Sequence, residues 1–298
     1  MHYNSLEITN RGMEMSIAFS LDDVSRKFGR VTALDHLSLH VREGEIYGFL
    51  GRNGAGKTTT LKILIGILQP DSGGIDMFGQ RIKRVSVELK QKIGYVSQEP
   101  AFYPWMTAND LGRFVGSLYP TWDTQEFERL LKLLDVPRNQ RSMELSGGTK
   151  TKLSLALALA SRPSLLLMDE PTTGLDPVAR REFNDQLAEL QRNNGTTVFF
   201  SSHLVGEVEQ LAQRVGIIQA GRARYEGDIH TLRDSVRLIE TQQEFVPGEG
   251  FERIRNNVYR AEPTHWNSAE WPEGAHIRTL SLEDIFLAFA RTDGTSLP

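Results

Sequence analysis

Apolar and polar residues alternate in two segments near the start of the chain. The first covers residues 17–25 and the second residues 37–41, and both patterns are typical of half-buried β-strands. Residues 46–50 are mostly apolar and lead into a glycine-rich loop, which predicts a buried strand. The apolar runs at residues 165–168 and 196–201 predict two further buried strands.

Between these strands the apolar spacing changes to the period of an α-helix. Residues 57–68 carry one apolar face, and residues 107–118 and 124–135 also have helical spacing. A fourth helix follows Ser146, whose side chain suits the first turn as a cap, and it ends before Pro163. Its apolar residues recur at i, i+3, i+4 and i+7: Leu153, Ala156, Leu157 and Ala160.

Strands that alternate with helices predict an α/β fold with a mostly parallel sheet. The helical block at about 85–160 interrupts this alternation and predicts a subdomain inserted into a main domain, which we place at residues 16–230. Residues 215–225 predict a hairpin that closes this domain.

The two ends of the chain are predicted to lie outside the main domain. Residues 1–15 are expected to be a flexible N-terminal extension, with Met13 and Met15 as alternative starts. Residues 231–298 are expected to form a small α+β accessory region, in which loops are marked by glycine and proline. This region ends in Ser281-Leu282-Glu283-Asp284, a capping box that precedes an amphipathic helix.

Composition narrows the class of protein. The 298 residues are enough for one large and one smaller domain, and 39% hydrophobic with 24% charged residues is ordinary for a globular chain. A net charge of -4 without a dense Lys/Arg tract gives no sign of nucleic-acid binding, and the lack of cysteine excludes disulfides and thiolate metal ligands. No apolar run reaches the roughly 18–20 residues that cross a bilayer. We therefore predict no direct membrane insertion, and attachment to a membrane would need a partner.

A phosphate-binding loop follows the strand predicted at residues 46–50. Gly51-Arg52-Asn53-Gly54-Ala55-Gly56-Lys57-Thr58 matches G-x-x-x-x-G-K-S/T and opens a predicted helix. Backbone N–H groups would bind phosphate oxygens, Lys57 would reach the β- and γ-phosphates of ATP, and Thr58 would ligate Mg²⁺. The alternative, a glycine-rich turn with an incidental lysine, leaves the coincidence of strand, loop and helix unexplained. The predicted nucleotide ligands are Gly51, Asn53, Gly54, Ala55, Gly56, Lys57, Thr58 and Thr59.

Two carboxylates follow the apolar run at residues 165–168. Because the carboxyl ends of parallel strands form the ligand-binding edge of an α/β sheet, Asp169 and Glu170 are expected near the phosphate loop. Asp169 would hold Mg²⁺ through water, and Glu170 would be the general base that polarises the attacking water. A strand that ends in two acidic residues is as often simply solvated, so the upstream phosphate loop is what favours the catalytic interpretation.

The segment Leu145-Ser146-Gly147-Gly148-Thr149 resembles the signature motif of ABC ATPases. A capped helix start would also fit its serine and glycines, but the other motifs of that family stand around it in the family's order. The resemblance covers about residues 17–230. It implies a P-loop NTPase (RecA-like) core with an antiparallel β subdomain and an inserted helical subdomain. It also implies that Ser146, Gly147 and Gly148 contact the γ-phosphate of ATP bound to a second subunit.

Four other residues match positions of this family. Gln98 matches the Q-loop glutamine, which implies a contact with Mg²⁺ and water, and Asp176 matches the D-loop that crosses the dimer interface. His203 matches the switch histidine, which implies a contact with the γ-phosphate. Phe28 stands where the family has an aromatic residue that stacks on adenine, although an aromatic there could also be core. One position departs from the family, because Thr149 replaces the usual glutamine.

A single copy of each motif implies a second nucleotide-binding subunit, identical or closely related, with ATP and Mg²⁺ between the two chains. The resemblance implies the motor of an ABC transporter, held on the cytoplasmic face of the cell membrane by membrane-spanning subunits. The region of the signature helix and the C-terminal helix resemble the separate-chain ATPases of ABC-2 exporters. The alternatives are an importer ATPase and a soluble, non-transport ABC ATPase. The cargo would be set by the membrane subunit.

Aromatic residues follow Gln98 in this chain. They are Phe102, Tyr103 and Trp105. In the family this region lines the groove that receives a helix of the membrane subunit, and exposed aromatics are good interface anchors. The alternative is that they pack inside the helical subdomain, and the sequence leaves both interpretations open.

Overall fold

The computed structural model describes residues 16–241, 248–255, 257–269 and 271–290, so the predicted N-terminal extension lies outside the described residues. The strands are β1 (Ile17–Phe28), β2 (Val31–Arg42), β3 (Ile46–Gly51), β4 (Ser72–Met77), β5 (Gln80–Ile82), β6 (Ile93–Val96), β7 (Leu165–Asp169), β8 (Thr197–Ser202), β9 (Arg214–Gln219), β10 (Arg222–Asp228), β11 (Val236–Glu240), β12 (Glu252–Arg255), β13 (Val258–Arg260) and β14 (His276–Thr279). The α-helices are α1 (Lys57–Leu64), α2 (Val87–Lys90), α3 (Ala108–Gly116), α4 (Thr124–Leu133), α5 (Gly147–Ala160), α6 (Pro177–Asn194), α7 (Val205–Leu211), α8 (Ile229–Ser235), α9 (Pro263–Ser268) and α10 (Leu282–Ala290).

The central sheet has the strand order β10-β9-β3-β8-β7-β6. Strands β9, β3, β8, β7 and β6 run parallel, and β10 joins one edge as an antiparallel hairpin partner of β9. This confirms the predicted α/β class. Because β3 and β7 are both neighbours of β8, the loops that follow these three strands meet at the same edge of the sheet.

A second, antiparallel sheet has the order β2-β1-β4-β5 and packs over one face of the first. The register pairs Leu21 with Leu39, so the alternating apolar residues of β1 and β2 face one core. In that core the ring of Phe199 lies within 5.5 Å of three other aromatic rings, those of Phe19, Tyr47 and Phe49, at centroid distances of 5.2, 5.4 and 5.3 Å. Helix α1 packs into the same cluster.

Helix α1 is shorter than the predicted segment 57–68. It ends at Leu64 because Gly66 adopts a left-handed backbone conformation, with φ at 74°, and the chain turns there. The apolar residues beyond the end of the helix, Ile65 and Leu68, still pack against the core, which explains the helical pattern in the sequence.

Helices α3, α4 and α5 lie between β6 and β7 in the chain, inside the block predicted as an insertion. Strand β6 also falls within that block, yet it pairs with β7 in the central sheet. Helix α5 contacts α3, α4 and β6, and residues 153–160 are all buried. The buried surface therefore surrounds this part of α5, whereas the sequence predicts a single stripe, because the helix is enclosed on several sides.

The described part of the C-terminal region forms a third sheet, with the order β12-β13-β11-β14, together with α9 and α10. Helix α10 begins after Ser281, whose Oγ accepts a hydrogen bond of 3.1 Å from the Asp284 N–H and lies 2.6 Å from the Asp284 carboxylate. The apolar face of α10 packs on α7 and β9 of the main domain. Among the described helices, none has both the length and the apolarity to span a bilayer.

Candidate active site

The phosphate loop joins β3 to α1. Gly56, the residue before α1, has φ at 115°, and a Cβ atom there would lie only 2.7 Å from the Ala33 carbonyl oxygen, so the loop needs glycine at this position. The loop residues Arg52, Asn53 and Gly54 are exposed. Thr58 and Thr59 lie half-buried in the first turn of α1, where their backbone N–H groups lack helical partners. This arrangement offers a turn of free N–H groups to an anion.

Lys57 lies across the loop with its side chain buried. Its Nζ donates hydrogen bonds to the carbonyl oxygens of Gly51, at 2.6 Å, and Arg52, at 3.2 Å. The same Nζ is 3.0 Å from Oε1 of Glu170, so the two residues form a buried ion pair. These three partners use all three N–H donors of the ammonium group, so a phosphate that takes Lys57 as its ligand must displace at least one of them.

Glu170 is held in the left-handed region, with φ at 44°, a conformation that costs a side-chain-bearing residue of order 1–3 kcal/mol. Its N–H donates to the backbone oxygen of Ser201 at 3.2 Å and to the Ser201 hydroxyl at 3.0 Å, which fixes the turn against β8. Oε2 lies 2.9 Å from Nδ1 of His203 and accepts from the Thr173 hydroxyl at 3.3 Å. The catalytic candidates Glu170 and His203, which directly follow β7 and β8, are thus in contact.

Two opposing effects set the pKa of Glu170. Burial raises it, but the hydrogen bonds and charges of Lys57 and His203 outweigh burial and leave the pKa below its ordinary value. The carboxyl group is consequently ionised at neutral pH and able to accept a proton from a bound water.

Asp169 is buried at the end of β7, where its Oδ1 accepts a hydrogen bond of 2.7 Å from Ser201. Tyr95, on β6, lies half-buried nearby. Burial and the charge of Asp169 raise the pKa of Tyr95 to about 12, so its hydroxyl stays protonated. Ser201 therefore orients two neighbours: its hydroxyl donates to the Asp169 side chain and accepts from the Glu170 backbone.

Two separate clefts are each lined by several of the predicted site residues. The cleft of the phosphate loop is lined by Asn53, Gly54, Ala55 and His203, and also by Ala290 at the end of α10. A second cleft of about 680 Å³ is lined by Gln98, by Ser146, Gly147 and Gly148 at the start of α5, and by Asp176. The structure thus places Gln98 in the second cleft and does not bring it into the first.

Comparison with known proteins agrees with this geometry. The family model described as ABC transporter matches residues 34–173. The chain is 36% identical to the bacitracin transport ATP-binding protein of Bacillus licheniformis, over 70% of this chain and 69% of the relative. It is 40% identical to the Nod factor export ATP-binding protein I of Paraburkholderia xenovorans, over 91% of this chain and 96% of the relative. This chain belongs to the ABC transporter ATP-binding proteins.

Solved ABC structures have the same fold. A structure titled as the ATP-binding subunit of an ABC transporter superimposes with a TM-score of 0.65 at 26% identity, covering 72% of this chain and 92% of that one. A dimeric ATP-binding cassette described as a post-hydrolysis state with ADP and phosphate superimposes with a TM-score of 0.64 at 25% identity. The match covers 71% of this chain and 98% of that one. The chain is accordingly an ABC ATPase, an enzyme that binds and hydrolyses ATP.

Two of the ABC-motif residues have structural contacts that the sequence did not predict. Asp176 is the N-cap of α6, with Oδ1 accepting from the N–H groups of Val178 at 2.9 Å and Ala179 at 3.0 Å, and these bonds lower its pKa. Phe28 is 45% exposed at the end of β1, and the Arg26 guanidinium lies 5.0 Å above its ring. The ring is therefore accessible for stacking and is not part of the core.

Sequence reasoning missed the polar residues that form hydrogen bonds on and between the loops of the catalytic candidates. They are Thr172, Ser201, Ser202 and Glu207, all of which are buried. The pair of serines directly before His203 and the glutamate four residues after it were visible signals, since small hydroxyl residues and a carboxylate can bond across adjacent loops.

The Thr149 departure from the ABC signature has a local consequence. The Ser146 Oγ accepts from the Thr149 N–H at 3.2 Å and is 2.8 Å from the Thr149 hydroxyl. When the threonine hydroxyl donates to Ser146, the serine's own hydrogen is directed away and is available to a phosphate.

We expect Thr149→Val to lower the ATP turnover number by about 2–10-fold, because one hydrogen bond contributes about 0.5–1.5 kcal/mol. Thr149→Ser keeps the hydroxyl and should retain turnover. Steady-state ATPase rates of both variants test this. Equal rates for Thr149→Val and the native chain would show that the hydroxyl contact has no part in turnover.

Proposed function

We propose that this chain is the motor subunit of an ABC exporter and works as a dimer with two ATP molecules between its subunits. The observation that carries this is the separation of the two clefts. The phosphate loop and His203 line one cleft, whereas Ser146 and Asp176 line the other. One chain therefore holds two different halves of a nucleotide site, and a second subunit is needed to bring a phosphate loop against a signature helix.

The phosphate loop and the residues around it define the proposed chemistry. Lys57 and the loop N–H groups bind the phosphates, and the ionised Glu170 accepts a proton from the attacking water. His203, which touches Glu170 through Nδ1, has its other ring nitrogen available to contact the γ-phosphate. Phe28, accessible at the end of β1, would stack on the adenine ring.

The donor set also fits Mg²⁺. The described residues contain no cluster of three or more His, Cys, Asp or Glu side chains that could hold a metal by themselves. Mg²⁺ often uses one or two protein oxygens together with phosphate oxygens and water. The Thr58 hydroxyl and the Asp169 carboxylate are the proposed oxygen ligands here, with Gln98 joining when the helical part moves toward the nucleotide. Bound Mg²⁺ would neutralise charge on the β- and γ-phosphates.

Export is favoured by the relatives. Bacitracin transport and Nod factor export appear in their names, and a third relative, 37% identical over 67% of this chain and 66% of its own length, is the linearmycin resistance ATP-binding protein of Bacillus subtilis. The Nod factor relative aligns over 91% of this chain, so the likeness extends into the accessory region. These observations favour an exporter over an importer ATPase or a non-transport ABC ATPase.

Exposed aromatic residues favour a membrane-spanning partner. Tyr103 and Trp105 are 50% and 65% exposed, and their rings lie 5.3 Å apart. Phe114 is also exposed, with its ring 6.1 Å from that of Tyr103, whereas Phe102 packs against the core. Phe102 therefore fits the interpretation that this segment packs in the core, whereas Tyr103 and Trp105 fit the interpretation that it forms an interface. We propose that this aromatic patch docks the membrane subunit, which would hold the chain on the cytoplasmic face of the membrane.

A detergent pull-down of the tagged chain tests this function. We expect the native chain to recover a multi-spanning membrane protein in stoichiometric amount, identified by mass spectrometry. Trp105→Ala should reduce this recovery about tenfold or more, since interface aromatics can contribute 2 kcal/mol or more.

The matched control is Ile277→Ala, which removes an exposed apolar side chain from β14 and should leave recovery unchanged. Both variants should bind ATP like the native chain. Recovery of ribosomes or of no partner by the native chain would contradict the exporter assignment while leaving the ATPase assignment in place.

A further inference from the structure

A buried glutamate in the first turn of α7 contacts both loops that carry the catalytic candidates. Glu207 is 6% exposed. Its Oε1 accepts a short hydrogen bond from the Thr172 hydroxyl, and its Oε2 accepts one of 2.7 Å from the Ser202 hydroxyl. Nε of Arg180, on α6, lies 3.4 Å from Oε1. Oε1 thus faces Thr172 and Arg180, whereas Oε2 faces Ser202, so the carboxylate contacts three segments of the chain.

The two hydroxyls stand next to the catalytic candidates. Thr172 follows Glu170 by two residues, within the tight turn closed by the hydrogen bond of 3.1 Å from the Thr173 N–H to the Glu170 carbonyl. Ser202 directly precedes His203, and its hydroxyl also accepts from the Leu204 N–H at 2.9 Å, so it braces the backbone on both sides of the histidine. Through Thr172 and Ser202, Glu207 therefore connects the turn that carries Glu170 to the turn that carries His203.

Helix α7 is itself firmly anchored, which makes Glu207 a fixed reference point. Val208 is fully buried against β3, where a Cβ atom at Gly48 would lie 2.6 Å from its Cγ1, so the helix approaches the strand as closely as glycine permits. On its other side α7 packs against α6 and α10. A carboxylate on such a helix can hold two loops in register because the helix is itself packed on more than one side.

We propose that Glu207 is a positioning residue for ATP hydrolysis, holding the Glu170 carboxylate and the His203 imidazole at the separation seen between them. This rests on the proposed function, in which these two groups act on the water and the γ-phosphate. The direct contact between them, 2.9 Å from Nδ1 to Oε2, is made by two side chains on separate loops. The position of the Glu170 side chain depends on the loop after β7, and that of the His203 side chain on the loop after β8. Glu207 forms hydrogen bonds with both loops.

The network leaves the phosphate loop largely untouched. Lys57 is held by the Gly51 and Arg52 carbonyl oxygens as well as by Glu170. The partners described for Glu207 all lie outside residues 51–59: Thr172, Ser202 and Arg180. Loss of Glu207 should therefore reduce the turnover number and spare ATP affinity. A general loss of folding would lower both in parallel, so the two roles are distinguishable.

The test compares Glu207→Ala, Glu207→Gln and Thr172→Val with Glu209→Gln, a change at an exposed glutamate of the same helix. We expect Glu207→Ala to lower kcat by about 10–100-fold, the range typical of residues that orient a catalytic group, with KM and the ATP dissociation constant within about twofold of the native values. Glu207→Gln should recover part of the rate, because its amide oxygen can accept from one hydroxyl while its NH2 group donates to the other, although the uncharged amide forms no ion pair with Arg180. Glu209→Gln should match the native chain.

A double-mutant cycle with Thr172→Val separates positioning from simple structural support. If the threonine acts through Glu207, adding Thr172→Val to Glu207→Ala should cause no further loss of kcat, while Thr172→Ser alone should keep the native rate. The proposal is overturned if Glu207→Ala keeps its kcat, or if it loses ATP affinity as much as rate. Thermal unfolding confirms that each variant is folded at the assay temperature, and Thr172→Val tests the same link if Glu207→Ala does not fold. Absence of ATPase activity in the native chain would instead refute the proposed function.

Discussion

Glu170→Gln should bind ATP, lose hydrolysis and accumulate as a closed dimer. The amide cannot accept the proton of the attacking water, and a general base contributes about 10²–10⁴-fold to a rate. The substitution also removes the charge that pairs with Lys57 at 3.0 Å, so the lysine meets the phosphates without a competitor. We therefore expect ATP affinity equal to or greater than that of the native chain. Phosphate release assays and light scattering at saturating ATP measure the two effects.

The matched control for this experiment is Glu128→Gln, which neutralises an exposed glutamate on α4 and should hydrolyse ATP at the native rate. A Glu170→Gln chain that hydrolyses at more than about a tenth of the native rate would exclude Glu170 as the general base, given the size of such effects. A chain that binds ATP but stays monomeric would contradict pairing with an identical subunit and point to a different second chain.

Lys57→Ala should lose ATP binding. Truncating one member of a buried, hydrogen-bonded charge pair costs about 2–5 kcal/mol, which corresponds to an affinity loss of roughly 30-fold or more. The structure adds a second effect, because Lys57 is also the partner that keeps the pKa of Glu170 low. Without the lysine, burial acts on this carboxyl with only His203 to oppose it, so its pKa should rise. Nucleotide titration by fluorescence measures the binding loss.

The control for this variant is Lys62→Ala, which removes an exposed lysine from the last turn of the same helix and should bind ATP normally. Because Lys57 is buried, thermal unfolding of Lys57→Ala must be recorded alongside. Undiminished ATP affinity in a folded Lys57→Ala chain would contradict the assignment of residues 51–58 as the phosphate site.

The packing of α10 gives the accessory region a physical link to this site. The helix contacts α7, and Ala290 at its end lines the cleft that also contains His203. The apolar face of α10 packs against α7, which begins at Val205, two residues after His203. Ile285, Phe286 and Phe289 are among the buried apolar residues of α10.

Local sequence determined the elements whose conformation depends on neighbouring residues. The phosphate loop is an example, since its glycines permit left-handed backbone and its lysine opens the helix that follows. The caps at Ser146 and Ser281 are others, because an N-cap acts on residues within one turn. The alternation in β1 and β2 likewise predicted which face of each strand is buried. The physical reason is the same in each case: the determining contacts span only a few residues.

Tertiary structure decided which distant residues come into contact, because these contacts depend on the order of the strands in the sheet. Because β8 lies between β3 and β7, Lys57, Glu170 and His203 come into contact, although the sequence separates them widely. The same order lets Glu207 contact the loops of both catalytic candidates, Glu170 and His203, and leaves Gln98 in the other cleft. Spacing along a chain carries no information about such distances, because the path between two residues is fixed only when the sheet forms. The sequence therefore determined which chemical groups this ABC ATPase has, and the fold decided which of them act together.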